Sequence, residues 1–201
     1  MKAPLFQHLV PFLALAVTGS SSCVVSPVSS AAVAAEGGRS SVLRIAETEA
    51  NWKERPDQPY AYLEHVGDYR TMGPVMRRLL DRVAAGAVEA TGPPFALFYD
   101  DPGRVAAAEL RARVCVPVDA APGADSGLGF DVLGHAMVVY RRVAGAYPDA
   151  PRVYPSLFRY LAEHGWKANG PVREMYLVNP AEATSEAQLV TEVQIPWTLA
   201  R

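Results

Sequence analysis

The sequence predicts an α+β fold in which two similar β-α-β-β units build an antiparallel sheet. Three observations support this prediction: an internal repeat, side-chain alternation typical of strands, and apolar residues at helical spacing. The two units cover residues of about 56–118 and 134–197. Such an arrangement places two helices on one face of the sheet and leaves the other face open or cupped.

The repeat is visible as identical residues at a nearly constant offset. At an offset of 78 positions the matching pairs are Tyr62/Tyr140, Gly67/Gly145, Tyr69/Tyr147, Leu79/Leu157, Gly92/Gly170, Pro93/Pro171 and Pro102/Pro180. At an offset of 79 they are Leu110/Leu189, Val114/Val193 and Pro117/Pro196. Agreement in register at several Tyr, Gly and Pro positions indicates a duplicated unit.

The first unit begins with a strand over 60–66 that ends at Gly67 and Asp68. A helix follows from Pro74, whose fixed φ suits a first helical position, and ends near Gly86. Val75, Leu79, Leu80 and Val83 form its apolar stripe. Strands over 95–99 and 110–118 complete the unit.

The second unit repeats this order with a strand over 135–143, a helix over about 155–165, and strands over 172–178 and 189–197. Successive side chains of a strand point to opposite faces. In the last strand Leu189, Val193, Ile195 and Trp197 therefore share the face covered by the helices. Glu192 lies on the opposite face, where a carboxylate in mid-strand is unusual enough to indicate a site.

The charge balance argues against a nucleic-acid binder or a polybasic membrane patch. The chain has 201 residues, with 19 Lys and Arg against 21 Asp and Glu, and 50% of its residues are hydrophobic. No excess of cations exists to form a phosphate footprint. We therefore expect one globular domain, over residues 42–201, that binds no nucleic acid.

The N-terminus has the features of a secretory signal peptide. A basic start at Lys2 is followed by an apolar run over 9–17, too short for a membrane helix, and then by small residues. Two processing routes are open. Cys23 after Gly-Ser-Ser-Ser suits a lipoprotein with a signal peptide over 1–22 and a membrane-attached lipid, whereas Ala32-Val33-Ala34 suits ordinary cleavage after a signal of 1–34. Residues 23–41 are predicted to be a flexible tether.

Four stretches within residues 58–197 stand out: AYLEHVGDYRTMGPVMRRLLD, PPFALFYDDPGRVAAAELRARVCVPV, VVYRRVAGAY and GPVREMYLVNPAEATSEAQLVTEVQIPW. Together they resemble the GyrI-like family of small-molecule-binding domains, which also serve as effector-binding modules of AraC-type and MerR-type regulators. The resemblance implies a ligand cleft between the halves, lined by aromatic residues and holding an acidic residue on the last strand. Here that acid is Glu192, and Arg113 takes its place in the first half.

The resemblance implies a small hydrophobic or cationic ligand, since aromatic faces and a carboxylate attract cations. The candidate ligand-binding aromatics are Tyr62, Tyr69, Phe98, Tyr140, Tyr147, Tyr176 and Trp197. Ordinary core packing is the alternative for each ring, above all for Trp197. For Glu192 the alternative is a structural ion pair with Arg113. The binding hypothesis is an exported protein that holds such a ligand in the cleft.

Some members of the family are hydrolases that open strained cyclopropane rings of toxic compounds. In that alternative Glu192 would act as a general base, with Glu64 or Glu174 as a possible second carboxylate. Inhibition of gyrase, the activity of the family's namesake, requires a cytosolic protein and conflicts with export.

Other chemistry finds little support in the sequence. The four histidines have no metal-ligand spacing, so neither a metal nor another cofactor is predicted. Gly127 and Gly129 are interpreted as a linker between the halves, and Cys115 as a buried small side chain, with a reactive thiol as the alternative.

Overall fold

The structure is a computed structural model that describes residues 48–180 and 182–200. The predicted signal peptide (1–22 or 1–34), the tether (23–41), Cys23 and the first six residues of the predicted domain lie outside the described residues. Within the described part, no helix has the length and apolar character that crossing a membrane requires.

Nine strands and two helices make up the described residues, with short 3₁₀ turns between them. The strands are β1 (Asn51–Arg55), β2 (Gln58–Val66), β3 (Phe95–Phe98), β4 (Arg111–Pro117), β5 (Gly129–Leu133), β6 (Ala136–Ala144), β7 (Trp166–Ala168), β8 (Val172–Tyr176) and β9 (Val190–Leu199). The helices are α1 (Gly73–Ala84) and α2 (Tyr154–Glu163).

The strands form one antiparallel sheet in the order β1-β6-β9-β8-β3-β4-β2-β5, with β7 added to β9. In each half the last strand pairs with both the first and the second: β2, β4 and β3 in one half match β6, β9 and β8 in the other. The halves meet where β3 pairs with β8. The predicted α+β fold of two β-α-β-β units is confirmed, and the sheet curls into a half-barrel.

Both helices pack on the same face of the sheet. Val75, Met76 and Leu79 of α1 and Leu157 and Leu161 of α2 are buried in the main core. From β4 and β9, Val114, Val116, Val193 and Ile195 complete this core, as their alternation predicts. Leu80 lies outside this core because it is 40% exposed, although its spacing suggested the apolar stripe.

Three strands lie outside the predicted repeat. The segment interpreted as a linker is in part β5, which pairs with β2 and extends the sheet. Gly129 is required there because a Cβ at this position would clash with the ring of Tyr62. β1 pairs with β6 at the opposite edge and brings Lys53 to the open face. β7 pairs with the end of β9.

Candidate ligand-binding site

The open face of the sheet carries a row of side chains that runs through both halves. In register across β2, β4, β3, β8, β9 and β6 the row is Tyr62, Cys115, Phe95, Met175, Glu192 and Arg142. The first four belong to or pack against a second apolar cluster, separate from the core under the helices. The row therefore changes from apolar to charged within the second half, between Met175 and Glu192.

A cleft of about 400 Å³ lies over the charged end of this face. Both halves contribute to it: Pro59, Pro93 and Pro117 from the first, and Met175 and Glu192 from the second. This volume falls within the range of about 300–1,000 Å³ that is typical of small-molecule sites. The geometry therefore places a cleft of ligand size between the repeats.

Glu192 lies at this cleft, as its alternation in the last strand predicts, and is 3% exposed. Its Oε1 accepts a hydrogen bond from Lys53 Nζ at 2.5 Å and one from Gln194 Nε2 at 2.6 Å. Its Oε2 accepts from Arg142 Nε at 2.9 Å. Two cations and an amide thus hold one carboxylate.

These contacts set the protonation of Glu192. Burial raises the pKa of the carboxyl, but the hydrogen bonds from Lys53, Gln194 and Arg142 and the charge of Lys53 lower it, and the net result is a pKa below the ordinary 4.5. Glu192 is therefore an anion at neutral pH whose charge is balanced within the protein.

Lys53 also makes a cation–π contact. Its Nζ lies 4.1 Å from the centre of the Tyr140 ring while it pairs with Glu192. An aromatic face and a carboxylate together are the groups that recognise a cation. In this structure the ammonium group of Lys53 holds that position.

Arg113 does not pair with Glu192, which corrects the ion pair considered from the sequence. The two side chains belong to different halves, and Arg113 pairs instead with acids on the strands next to its own. Its Nη1 donates to Asp131 at 2.8 Å and to the Tyr60 hydroxyl at 2.9 Å, and its Nη2 lies 3.3 Å from Glu64. Its guanidinium stacks 3.9 Å from the centre of the Tyr62 ring.

The seven candidate aromatics divide between the two faces. Tyr62 and Tyr140 lie on the open face, beneath Arg113 and Lys53. The other five belong to the helix-covered side: Tyr69, Phe98, Tyr147, Tyr176 and Trp197. None of the seven rings is among the residues that line the cleft, so the aromatic lining that the resemblance implied is not found there.

Specific contacts fix three of these rings on the covered side. Trp197 stacks on Trp166 with ring centres 3.7 Å apart. Tyr69 donates its hydroxyl to the backbone carbonyl of Asp100 at 3.0 Å. Tyr147 donates to the carbonyl of Val178 at 3.2 Å.

Glu174 is a second buried carboxyl, but it lies on the opposite face from Glu192. It accepts hydrogen bonds from Tyr154 at 2.5 Å and Tyr176 at 3.3 Å beneath α2. Burial raises its pKa to about 7, although both tyrosine hydroxyls act to lower it. The sheet separates Glu174 from Glu192, so these two carboxyls cannot act on one molecule in the cleft.

Glu64 lies on the open face but is not a lining residue of the cleft beside Glu192. Cys115 is fully buried, and burial raises the pKa of its thiol well above the ordinary value, which disfavours the reactive thiolate. Among the described residues, no group of three or more His, Cys, Asp and Glu side chains is placed to hold a metal ion.

Four polar residues of this region were not assigned a site role from the sequence: Lys53, Arg142, Arg173 and Gln194. β1 lies before the predicted bounds of the repeat, although it matches β5 at the same offset of 78 positions, so the prediction did not indicate that Lys53 would reach β9. Arg142 and Arg173 each lie two positions along their strand from a residue of the open face, Tyr140 and Met175, and therefore share that face. Extending the alternation argument from β9 to β6 and β8 would have found them.

Known proteins were compared with this chain. No protein of curated function matches the sequence. Residues 48–197 match the GyrI-like small molecule binding domain. Among solved structures, EcmrR in its DNA complex is 18% identical with a TM-score of 0.65; the match covers 75% of this chain and 57% of EcmrR.

Two further structures resemble the described domain. SAV2435, solved with tetraphenylphosphonium bound, is 13% identical with a TM-score of 0.53, over 75% of this chain and 94% of that one. A hydrolase from Listeria innocua is 10% identical with a TM-score of 0.52, over 78% of this chain and 95% of that one. At these identities the likeness concerns the fold alone.

The family match covers 150 residues, the positions 48–197, and includes both repeats and the whole cleft. The tandem units, the half-barrel sheet and the acid on the last strand agree with it. The chain therefore belongs to the family of GyrI-like small molecule binding domains.

Proposed function

We propose that this domain binds a small lipophilic molecule in the cleft between its halves. The observation that carries the proposal is the cleft of about 400 Å³ on the open face, to which both repeats contribute. Its lining combines apolar residues, among them Pro93, Met175 and Leu177, with charged ones, a combination that buries an apolar group while orienting a polar one. Membership of a small-molecule-binding family supports the same function.

The charge of the ligand is a separate question. The resemblance implied a hydrophobic or cationic ligand, and SAV2435 binds tetraphenylphosphonium. In this chain a cation that approached Glu192 would have to displace Lys53 and Arg142. Membership of the family alone therefore does not fix the sign of the ligand's charge.

Hydrolysis with Glu192 as the base receives less support from the geometry. A general base is most effective when its pKa lies near the working pH. The pKa of Glu192 lies below its ordinary value, and both carboxylate oxygens already accept hydrogen bonds. Glu174, whose pKa of about 7 would suit the task, faces the helices. We therefore favour binding over catalysis.

A neutral fluorescent probe tests the binding function without involving charge. N-phenyl-1-naphthylamine, whose emission rises in apolar surroundings, is titrated into the protein. We expect saturable binding that weakens by about tenfold or more in Thr91→Trp, because Thr91 lines the cleft and a larger side chain would fill it.

The matched control is Ala108→Trp, which adds the same side chain at an exposed position outside the cleft. It should bind the probe as the wild type does. Absence of saturable binding, or equal binding by Thr91→Trp and the wild type, would contradict the proposed function.

Export is proposed on the N-terminal sequence alone. The apolar run over 9–17 and the small residues after it support a cleaved signal, with lipidation of Cys23 or release after Ala34 as the two routes. Mass spectrometry of the mature protein, recovered from the cells that produce it, distinguishes the routes. A chain that still begins at Met1 would contradict export.

A further inference from the structure

Arg173 is a buried cation beside the cleft. It lies in the middle of β8, in register with Leu97 of β3 and Gln194 of β9, and is 6% exposed. Its neighbour Glu174 contacts Tyr154 beneath α2, so Arg173 shares the open face with Met175. Met175 and Gln194 both line the cleft; Arg173 is not itself a lining residue but adjoins both of them on this face of the sheet.

This guanidinium has no partner among the described residues. No ion pair or hydrogen bond links it to a described side chain or backbone group, and its Nε is buried without an acceptor. Two acids of the cleft lining are engaged elsewhere: Glu192 pairs with Lys53 and Arg142, and Asp57 accepts the backbone N–H of His135. The third acid of the lining, Asp119, is exposed.

Burial, together with the neighbouring charge of Arg55, lowers the pKa of Arg173 to about 10. Arg173 is still a cation at neutral pH. An ionised group without a partner is costly to bury, so an anion in the cleft would be strongly favoured.

Gln194 offers a second buried polar atom. Its Nε2 donates to Glu192, whereas its Oε1 has no hydrogen-bond donor among the described residues. Gln194 Oε1 can accept a hydrogen bond from a ligand hydroxyl or N–H. A single ligand with one acceptor and one donor would therefore supply hydrogen bonds to both Arg173 and Gln194.

The groups that would recognise a cation are meanwhile occupied. Lys53 places its ammonium group against both Glu192 and the face of Tyr140. A lipophilic cation would have to replace these contacts, whereas an anion leaves them intact.

We propose that the ligand of this cleft is a lipophilic anion, an aromatic or aliphatic carboxylate or sulfonate, whose acid group is bound by Arg173. This inference rests on the proposed binding function, because it names the ligand class of the same cleft. Arg173 then determines specificity by the sign of its charge.

Two probes that share one ring system test the sign of the ligand. N-phenyl-1-naphthylamine is neutral, and 8-anilinonaphthalene-1-sulfonate adds a sulfonate to the same frame and keeps the N–H donor. We expect the sulfonate to bind at least about tenfold more tightly than the neutral probe, as a charged hydrogen bond predicts. Tetraphenylphosphonium should displace either probe only weakly.

The variant Arg173→Met should reduce this preference by about tenfold, while Arg173→Lys, which keeps the charge, should retain part of it. Arg78→Met removes a cation from the exposed side of α1 and should leave the preference unchanged. Thermal unfolding establishes that each variant is folded. The comparison of the three probes on the wild type tests the ligand's sign even if Arg173→Met fails to fold.

Each outcome decides one proposal. Equal affinity for the two naphthyl probes, a preference that survives in Arg173→Met, or tighter binding of tetraphenylphosphonium than of the sulfonate would overturn the anion inference while the binding function stands. If none of the three probes binds, the proposed function itself fails.

Discussion

Lys53 Nζ lies 2.5 Å from Glu192 Oε1, so a residue of the first strand neutralises the acid of the last one. The two residues are 139 positions apart, and β6 lies between their strands in the sheet. The pair connects the edge strand β1 to the cleft. Because Lys53 compensates the charge of Glu192, the carboxylate does not present an unpaired negative charge to the cleft.

Replacing the acid tests this relationship. We expect Glu192→Gln to lower the free energy of unfolding by about 1–3 kcal/mol, because Lys53 and Arg142 then lie close together without an anion between them. Partial exposure of both cations keeps the loss below that of a fully buried pair. Urea denaturation measures it. A loss no larger than that of Glu109→Gln, an exposed glutamate, would contradict this account.

A double-mutant cycle with Lys53→Met separates the pair from the rest of the site. If the pair is coupled, the effects of Glu192→Gln and Lys53→Met will not add, and the difference measures their interaction. Additive effects would show that the two side chains act independently.

Glu174 predicts a fall in stability as the pH rises. Its pKa is about 7 in the folded chain against 4.5 for an ordinary glutamate, so the folded state binds the proton more tightly. The stabilising contribution is fully present below pH 4.5 and is lost as the pH rises to about 7, by roughly 3 kcal/mol. Glu192 has a lowered pKa, so its stabilising contribution is fully present above pH 4.5 and is lost as the pH falls below that value.

Urea denaturation, repeated from pH 5 to pH 8 in steps of about one pH unit, measures this effect. In Glu174→Gln the side chain stays neutral, and this part of the fall in stability should disappear. The same pH profile in the wild type and the variant would count against a buried, protonated Glu174.

Trp197 tests the assignment of the aromatic rings to faces. Because it stacks on Trp166 on the helix-covered side, Trp197→Phe should cost about 1–2 kcal/mol of stability. Its affinity for N-phenyl-1-naphthylamine should stay within about twofold of the wild type. A loss of affinity as large as that of Thr91→Trp would place Trp197 in the site after all.

Much of the fold could be predicted because its determinants are local or repeated. Period-two alternation in β9 was enough to place Glu192 and Trp197 on opposite faces, as the structure has them. Tyr69 and Tyr147 were harder, since both lie in 3₁₀ turns after a strand, where alternation no longer assigns a face. Their hydroxyl contacts depend on distant backbone groups.

The polar contacts of the cleft could not be predicted in the same way. Lys53 comes from β1, which lies outside the predicted bounds of the repeat, and its position depends on the pairing of β1 with β6. Arg113 faces Asp131 of β5, a strand hidden within a Gly-rich connection. Which cation meets which acid follows from sheet order, and sequence periodicity carries no information about that order across strands.

Arg173 predicts a conflict between stability and function. A buried guanidinium without a partner destabilises the unliganded fold, so Arg173→Met should raise the free energy of unfolding by about 1–3 kcal/mol. The matched change Arg78→Met, at an exposed position, should alter it by less than about 0.5 kcal/mol. Urea denaturation without ligand measures both. A marked destabilisation by Arg173→Met would mean that the arginine supports the empty fold.

A crystal structure with 8-anilinonaphthalene-1-sulfonate shows directly whether the cleft binds a lipophilic anion through Arg173. We expect the naphthyl ring in the cleft between the two repeats, with a sulfonate oxygen within hydrogen-bond distance of the Arg173 guanidinium and Lys53 still paired with Glu192. A probe bound on the helix-covered face or elsewhere on the surface, with the cleft empty, would contradict it.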